Sequence, residues 1–540
     1  MEFIDTSRKK LELPLILEKI KVSSLYGREA KAQLGFFAVP EELEKEYDRI
    51  DAVVHRLEYN KITLSRLRNL LAGFKEIRTT LNRLEEGTVL AEVELYELKL
   101  FALGIRQILE LLETFEGFPP DLVPPGLSGV ETLLDPEGEG IPTFMIYDSY
   151  SWELKVQRRA IEEKTRELEL GKRALMEELV KTYKVPIKGW GEMRIARSHE
   201  AFEKIKADPR LSYNSEGYGL VNFQVDLSYS FSGLLEEIAS LKERESRIEE
   251  AVKASLSESL REAVPVFRED IQRIARLDLV LGKASFARGY HLTRPVITKE
   301  NEILIEGGFN IPVLDRLRKE GMTYTPIDII LKKGTTVITG SNMGGKTVTL
   351  NLVGQAVVMA HFGLFVPAKT LRFSLRDFYY VSVGDTQDMA MGLSSFAGEM
   401  MALAKVIRRA GDRGLILVDE LSRGTNPQEG YAISRSITDY LNQQEAISVF
   451  TTHFDGITPG KVHYQVKGLR DLDFDALEGR ESVLKNLHQR MDYRLEAVTA
   501  DRQVPKEALP ISRLLGLEEE ILLKAQEYLR LEHERRQQHE

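Results

Sequence analysis

Apolar residues recur at three- and four-residue spacing from about residue 8 to 116, as in Leu11, Leu15, Ile16 and Ile20 and again in Leu95, Leu98, Leu100 and Leu103. That period keeps one face of a helix apolar, so the stretch is predicted to be a helical bundle. Residues 117–145 break the pattern with Pro119, Pro120, Pro124, Pro125, Pro136 and Pro142 among several glycines. Proline lacks the amide donor a helix needs, and the segment is predicted to be a connector. After Asp148 and Ser149, either of which can cap a helix, apolar residues fall at every seventh position to about Tyr183: Leu154, Ile161, Leu168 and Leu175. A second run places Leu234, Leu241 and Ile248 on one line and Ile238 and Val252 on the next, with charges between. The two stripes predict long helices paired antiparallel, each reaching about 45 Å for roughly 30 residues. Residues 185–230 then form their far end, where the alternation of GLVNFQVDL (219–227) predicts short strands. From about residue 286, apolar β-rich runs (VITG, LILVDE, ISVFTTH) alternate with helical stretches, the pattern of an α/β domain with a largely parallel core sheet.

Composition narrows the function classes. A chain of 540 residues exceeds a single core, and three or four units are expected. It is 43% hydrophobic and 29% charged and holds no uninterrupted apolar run of about 18 residues, so no membrane span is expected. The opening MEFIDTSRKKLELPL mixes both charge signs and lacks the apolar stretch of a secretory signal, which leads to an expected cytoplasmic location. The absence of cysteine removes disulfides, zinc-thiolate sites and thiol nucleophiles. A net charge of -10 is unlike that of a protein dominated by phosphate-backbone contacts. Residues 181–210 nevertheless carry eight Lys/Arg against four acids, and Trp190 and Tyr213 stand nearby for stacking. A weakly basic tip that touches nucleic acid and an ordinary solvated loop are both open at this point.

The chemistry is concentrated in the α/β part. Residues 340–347 read GSNMGGKT (Gly340, Ser341, Asn342, Met343, Gly344, Gly345, Lys346, Thr347), between a strand-like run and the helical stretch that opens with Val348. This is a complete phosphate-binding loop: its glycines let backbone amides close around phosphate, Lys346 reaches the terminal phosphates and Thr347 ligates magnesium. LILVDE delivers Asp419 and Glu420 at a strand's C-terminal end. Asp419 is expected to hold magnesium, and Glu420 to orient and polarise the attacking water. His453 ends ISVFTTH, where an imidazole can hydrogen-bond to the water or the γ-phosphate. GLSSFAGEM (392–400) offers hydroxyls and amides before a helical stretch, which suits phosphate or simple helix capping. ATP and Mg2+ are therefore the expected cofactors.

Taken together, GSNMGGKT, LSSFAGEM, LILVDELSRGTNPQEG and FTTHF resemble, in order and spacing, the nucleotide-binding domain of the MutS family. The resemblance covers about residues 286–470. More loosely it covers the whole chain, since TSRKKLELPLILEKIKVSSLYGREA looks like the start of the family's helical core and the paired helices look like its clamp. That family belongs to the ABC-type ATPases. The resemblance thus implies a homodimer whose sites are completed in trans, with Ser394 on the γ-phosphate of the opposite subunit and Arg423, Gly424 and Thr425 beside it. Residues 508–529 similarly resemble the family's helical dimerisation element. The implied layout is a helical, lever-like core (1–146), coiled-coil clamp arms with a small β tip (147–260), a return helix (261–285), the P-loop ATPase domain (286–503) and a C-terminal dimerisation element (504–540).

Departures from the family pattern bear on biological role. The chain starts where the family's core begins, so the mismatch-reading domain is expected to be absent, as is a nuclease-like tail. Pro326-Ile327-Asp328 stands where the family has Pro-Asn-Asp, and Ile311-Pro312 where it has His-Pro, which bears on base recognition. The layout and residues 491–511 look closest to the short MutS-like ATPases that reactivate adenosylcobalamin-dependent lysine aminomutase. On that resemblance the partner is a protein, either an aminomutase or a co-encoded reactivase subunit. The alternative is a repair-like clamp on mismatched or branched DNA.

Overall fold

The structure, a computed structural model, describes residues 1–4, 7–57, 61–115, 117–340, 345–383, 395–422, 425–454, 456–458, 460–469, 491–498, 509, 512–513 and 516–539. They form two compact units, the first of Met1–Leu71, Phe115–Leu122 and Ile274–Glu540, the second of Ala72–Thr114 and Val123–Arg273. The stretch 1–146 contributes to both. Among the described residues no helix is long and apolar enough to cross a membrane.

The first unit is built on a seven-stranded sheet in the order Glu2–Phe3, Phe378–Ser382, Gly414–Asp419, Ile447–Thr452, Gly334–Thr339, Val462–Leu469, Met491–Ala497. Neighbours are parallel except the last pair. The strands Gly334–Thr339, Gly414–Asp419 and Ile447–Thr452 are buried at every position, which explains why they read as continuous apolar and threonine runs rather than alternations. The helix Lys346–His361 is buried along nearly its whole length. A four-stranded sheet, ordered Val296–Ile297, Thr370–Phe373, Glu302–Gly308, Ile327–Lys332, completes the unit.

The N-terminal segment is woven into this α/β unit. Glu2–Phe3 pairs with Phe378–Tyr379 as the outermost strand. Ser7 accepts from the Val381 amide at 2.9 Å, and the Leu11 carbonyl accepts from Gln355 Nε2 at 3.0 Å. The helical spacing of Leu11, Ile16 and Ile20 is genuine burial, whereas Leu15 is exposed because Glu12, at φ 53, breaks the segment into two short helices.

In the second unit the helix Trp152–Tyr183 lies antiparallel to the first part of the helix Leu227–Tyr290. Gln157 Nε2 donates to the Leu241 carbonyl at 2.7 Å, Arg158 bridges Glu245 and Glu249, and Lys164 pairs with Glu237. Rising numbers on one helix meet falling numbers on the other. Of the heptad residues, Leu154, Leu175, Ile238 and Val252 are buried, whereas Ile161, Leu168, Leu234, Leu241 and Ile248 are half-buried. The N-terminal cap is Ser151, whose hydroxyl accepts from the Leu154 amide, rather than Asp148 or Ser149; Asp148 instead binds Arg158 at 2.8 Å. Past Tyr183 the chain forms a three-stranded antiparallel sheet, ordered Glu192–Ala196, Leu220–Val225, Leu211–Gly217, which shares a core with Leu175, Leu179, Phe202 and Ile205.

A buried carboxyl in this unit has no ion pair among the described residues. Asp270 is wholly buried, accepts from the Gly126 amide at 3.3 Å through Oδ1, and has no partner for Oδ2 among the described residues. Burial pushes its carboxyl up to about 7, against the opposing pull of the Gly126 amide.

Candidate nucleotide site

Parallel pairing brings the chemical residues to one edge. Asp419 stands opposite Thr451 and Thr452 opposite Thr339, so the loop after Thr339 and the acidic pair emerge together at the C-terminal ends of three adjacent strands. In open α/β sheets this edge is where ligands bind. The strand Ile447–Thr452 lies between the loop strand and the acidic strand.

The turn into the helix requires unusual backbone. Gly340 has φ 143 and Gly345, the helix N-cap, φ 80, values that side chains disfavour. A Cβ on Gly345 would also lie 3.1 Å from the Tyr493 ring. Lys346 is buried, donates to the Gly340 carbonyl at 2.7 Å and lies 3.8 Å from Glu420 Oε1. Thr347 Oγ1 donates to Asp419 Oδ2 at 2.7 Å. Both carboxylates are buried, at 9% and 8% exposure, and are thus withdrawn from bulk water as charge-handling groups need to be. Glu420 at φ 49 and Ser422 at φ 66 are non-glycine residues in the left-handed region, a strain of about 1 kcal/mol or more each that clusters at functional turns. Ser422 N donates to Glu399 Oε2 at 3.3 Å, which ties the turn to the helix Ser395–Ile407.

The structure therefore brings together Gly340, Gly345, Lys346, Thr347, Asp419 and Glu420, with Val348 following in the first helical turn. His453 is exposed, its ring 4.6 Å from that of Phe454, and among the described residues no hydrogen bond joins it to the acidic pair or to Lys346. Ser341, Asn342, Met343, Gly344, Ser394, Arg423 and Gly424 lie outside the described residues. Thr347 Oγ and the Asp419 carboxylate are hard oxygen donors at hydrogen-bond distance, a pair that suits magnesium held mainly by phosphate and water. No group of three or more His, Cys, Asp or Glu side chains able to hold a metal occurs among the described residues.

Two contributors escaped the sequence reading. Thr451 donates to Asp419 Oδ1 at 2.5 Å, and Tyr493 covers Gly345. The first could have been sought in the threonines before His453; the second had no signal beyond an aromatic residue on a late strand. The residues that depart from the family pattern are buried: Ile311 in the first turn of a helix capped by Asn310, and Ile327 at the start of the strand Ile327–Lys332.

At the tip, the cations are largely engaged with acids. Arg194 and Lys188 meet Glu192 at 2.9 and 3.4 Å, Arg197 meets Glu216 at 2.6 Å, and Arg210 meets both Asp208 and Glu178 at 2.8 Å. Lys181, Lys184, Lys204 and Lys206 have no ion pair among the described residues. Trp190, Tyr213 and Tyr218 are exposed.

Comparison with known proteins agrees with this geometry. Residues 336–531 match the family model described as MutS domain V. The chain is 32% identical to an Endonuclease MutS2 of Acetivibrio thermocellus over 54% of this chain and 35% of that protein. It is 29% identical to a DNA mismatch repair protein MutS of Syntrophomonas wolfei over 57% of this chain and 35% of that protein. With an Endonuclease MutS2 of Staphylococcus aureus it shares 26% identity over 94% of its own length and 64% of the other's. The chain thus spans between about a third and just under two thirds of these relatives. By these matches it is related to the MutS and MutS2 proteins, and residues 336–531 carry a MutS domain V.

Proposed function

We propose that this chain binds ATP with magnesium at the loop 340–347 and hydrolyses it. The observation that carries the reading is the convergence of Lys346, Thr347, Asp419 and Glu420 at one sheet edge, with Thr347 bonded to Asp419 and Lys346 beside Glu420. On this reading Lys346 leaves the Gly340 carbonyl for the terminal phosphates. Thr347 and Asp419 hold magnesium, which when bound neutralises charge on those phosphates. Glu420 orients the attacking water, Ser394 completes the site of a second copy, and His453 approaches the γ-phosphate only in the assembled state. Tyr493, packed over Gly345, offers an aromatic face for the base.

The reading extends to a homodimer in which turnover moves the paired helices against a partner protein, of the kind that reactivates adenosylcobalamin-dependent lysine aminomutase. The engagement of Lys188, Arg194, Arg197 and Arg210 with acids favours a protein partner, because paired cations add little to phosphate affinity. A DNA clamp is the second reading. It draws support from the names of the relatives, from the four lysines without ion pairs and from the exposed Trp190, Tyr213 and Tyr218. ATP turnover at physiological salt, measured without DNA, with homoduplex and with mismatched or branched DNA, tests both. No turnover under any condition refutes the ATPase; several-fold stimulation by DNA selects the clamp, and unchanged turnover selects the protein partner.

A further inference from the structure

Thr451 occupies a position that the phosphate loop and the acidic pair do not account for. It is directly across the parallel ladder from Asp419 and is 1% exposed. Its hydroxyl donates to Asp419 Oδ1 at 2.5 Å, and the same oxygen accepts from the Glu420 amide at 3.1 Å. The Glu420 amide also lies 3.2 Å from the Thr451 carbonyl, so one residue holds that amide twice. The next residue cannot substitute: Thr452 Oγ1 is engaged by the Phe454 amide at 3.0 Å.

Two consequences follow from these contacts, the hydroxyl serving in both. With Oδ1 taken by Thr451, the Asp419 carboxylate can turn only Oδ2 toward Thr347, the side on which the phosphate loop lies. And the Glu420 backbone, which pays for its left-handed φ of 49, is held in that turn by the amide contacts, directing its carboxylate to within 3.8 Å of Lys346. A buried, fully satisfied hydroxyl between two charge-bearing residues is the kind of support that keeps a site within a fraction of an ångström of its working geometry.

We propose that Thr451 is a positioning residue that sets the Asp419 carboxylate and the Glu420 turn together, coupling metal affinity to alignment of the water. The inference rests on the ATPase reading above. Its test uses the full-length chain carrying Thr451→Val, which keeps the shape and loses the hydroxyl, and Thr451→Ser, which keeps the hydroxyl. Thr451→Ala serves as the second hydroxyl-free variant should valine prevent folding. Three quantities are measured: ATP turnover against ATP and Mg2+ concentration, Mn2+ affinity in the presence of ADP by electron paramagnetic resonance, and thermal melting. Loss of the hydroxyl is expected to lower kcat about 10- to 100-fold, to weaken Mn2+ several-fold and to leave KM for ATP within about threefold, with serine close to the parent. A folded valine or alanine variant with parental kcat and parental Mn2+ affinity overturns the proposal. So does a serine variant as impaired as valine, since methyl packing would then be responsible. A parent chain that neither turns over ATP nor binds Mn2+ with ADP overturns the ATPase reading itself, and the two failures are thereby told apart.

Discussion

The candidate nucleotide site and the three-stranded sheet of the second unit both gather charge, and they treat it in opposite ways. At the sheet the charges answer one another: Arg210 grips Asp208 and Glu178, Arg197 grips Glu216, and Glu192 collects Trp190, Lys188 and Arg194. At the nucleotide site they sit buried on a strained backbone, with Lys346 turned to a peptide carbonyl and Asp419 shared between two hydroxyls. Mutually satisfied charge stabilises a fold by small amounts, whereas buried charge placed for a ligand contributes its energy when that ligand arrives. The difference separates charge that serves the fold from charge suited to a ligand without reference to any motif.

The sharpest way to break this contrast is to remove a charge from the candidate nucleotide site. Lys346→Ala is expected to lower ATP turnover about 100-fold or more while leaving the melting temperature near that of the parent, as read by a phosphate-release assay beside calorimetry. Glu420→Gln should lower turnover by about 100-fold and retain nucleotide, seen as slow release with unchanged binding of a fluorescent ADP. Parental turnover in this variant would assign the water to another group.

Asp270 sharpens the contrast from the other direction, as a buried carboxyl in the second unit whose Oδ2 has no partner among the described residues. Its carboxyl, at about 7, lies above the ordinary 3.8, so its contribution to stability is complete below about pH 4 and is lost as pH rises through 7. Asp270→Asn should therefore stabilise that unit at pH 8 by about 2 kcal/mol and by much less at pH 5, measured by urea unfolding at both values. Equal effects at the two pH values would show that the carboxyl is not proton-linked to folding.

The smallest effect is expected at the tip. The Arg210 guanidinium bonds hold Asp208 down at about 2, below its ordinary 3.8, so the pair stabilises above about pH 4 and fades as pH falls toward 2. Because Arg210 is partly solvated, Arg210→Ala should cost only about 1 kcal/mol at pH 7, with the gap from the parent narrowing between pH 4 and pH 2.5. A loss several times larger would mean that the tip, too, stores energy in a buried charge.

Legibility followed the distance over which each signal acts. The loop 340–347, the acidic pair and the paired helices are contiguous patterns, in which spacing alone fixes which residues share a face or a turn. Thr451 and Tyr493 reach the site through strand order, and a sequence does not state that Ile447–Thr452 runs between the loop strand and the acidic strand. His453 was read from its place after a strand, yet the backbone leaves its ring outside, against Phe454. The basic count over 181–210 did not show how far its cations are paired, since Glu192 and Asp208 inside the window take three of them and Glu216 and Glu178 outside it bind Arg197 and Arg210. The two-residue strand Glu2–Phe3 is too short for any period to register.

That short strand has a consequence for how the protein is made. Glu2 and Phe3 are synthesised well before their partners Phe378 and Tyr379, which follow more than 370 residues later. At about 5–20 residues per second the wait is on the order of 20 to 75 seconds. Throughout it, Phe3, Leu11 and Ile16 have no sheet or helix to cover them, while most of the second unit, encoded between residues 72 and 273, has already been completed. Most of the second unit is thus synthesised before the strand that pairs with Glu2 and Phe3, and this uncovered segment is a candidate for chaperone protection until then.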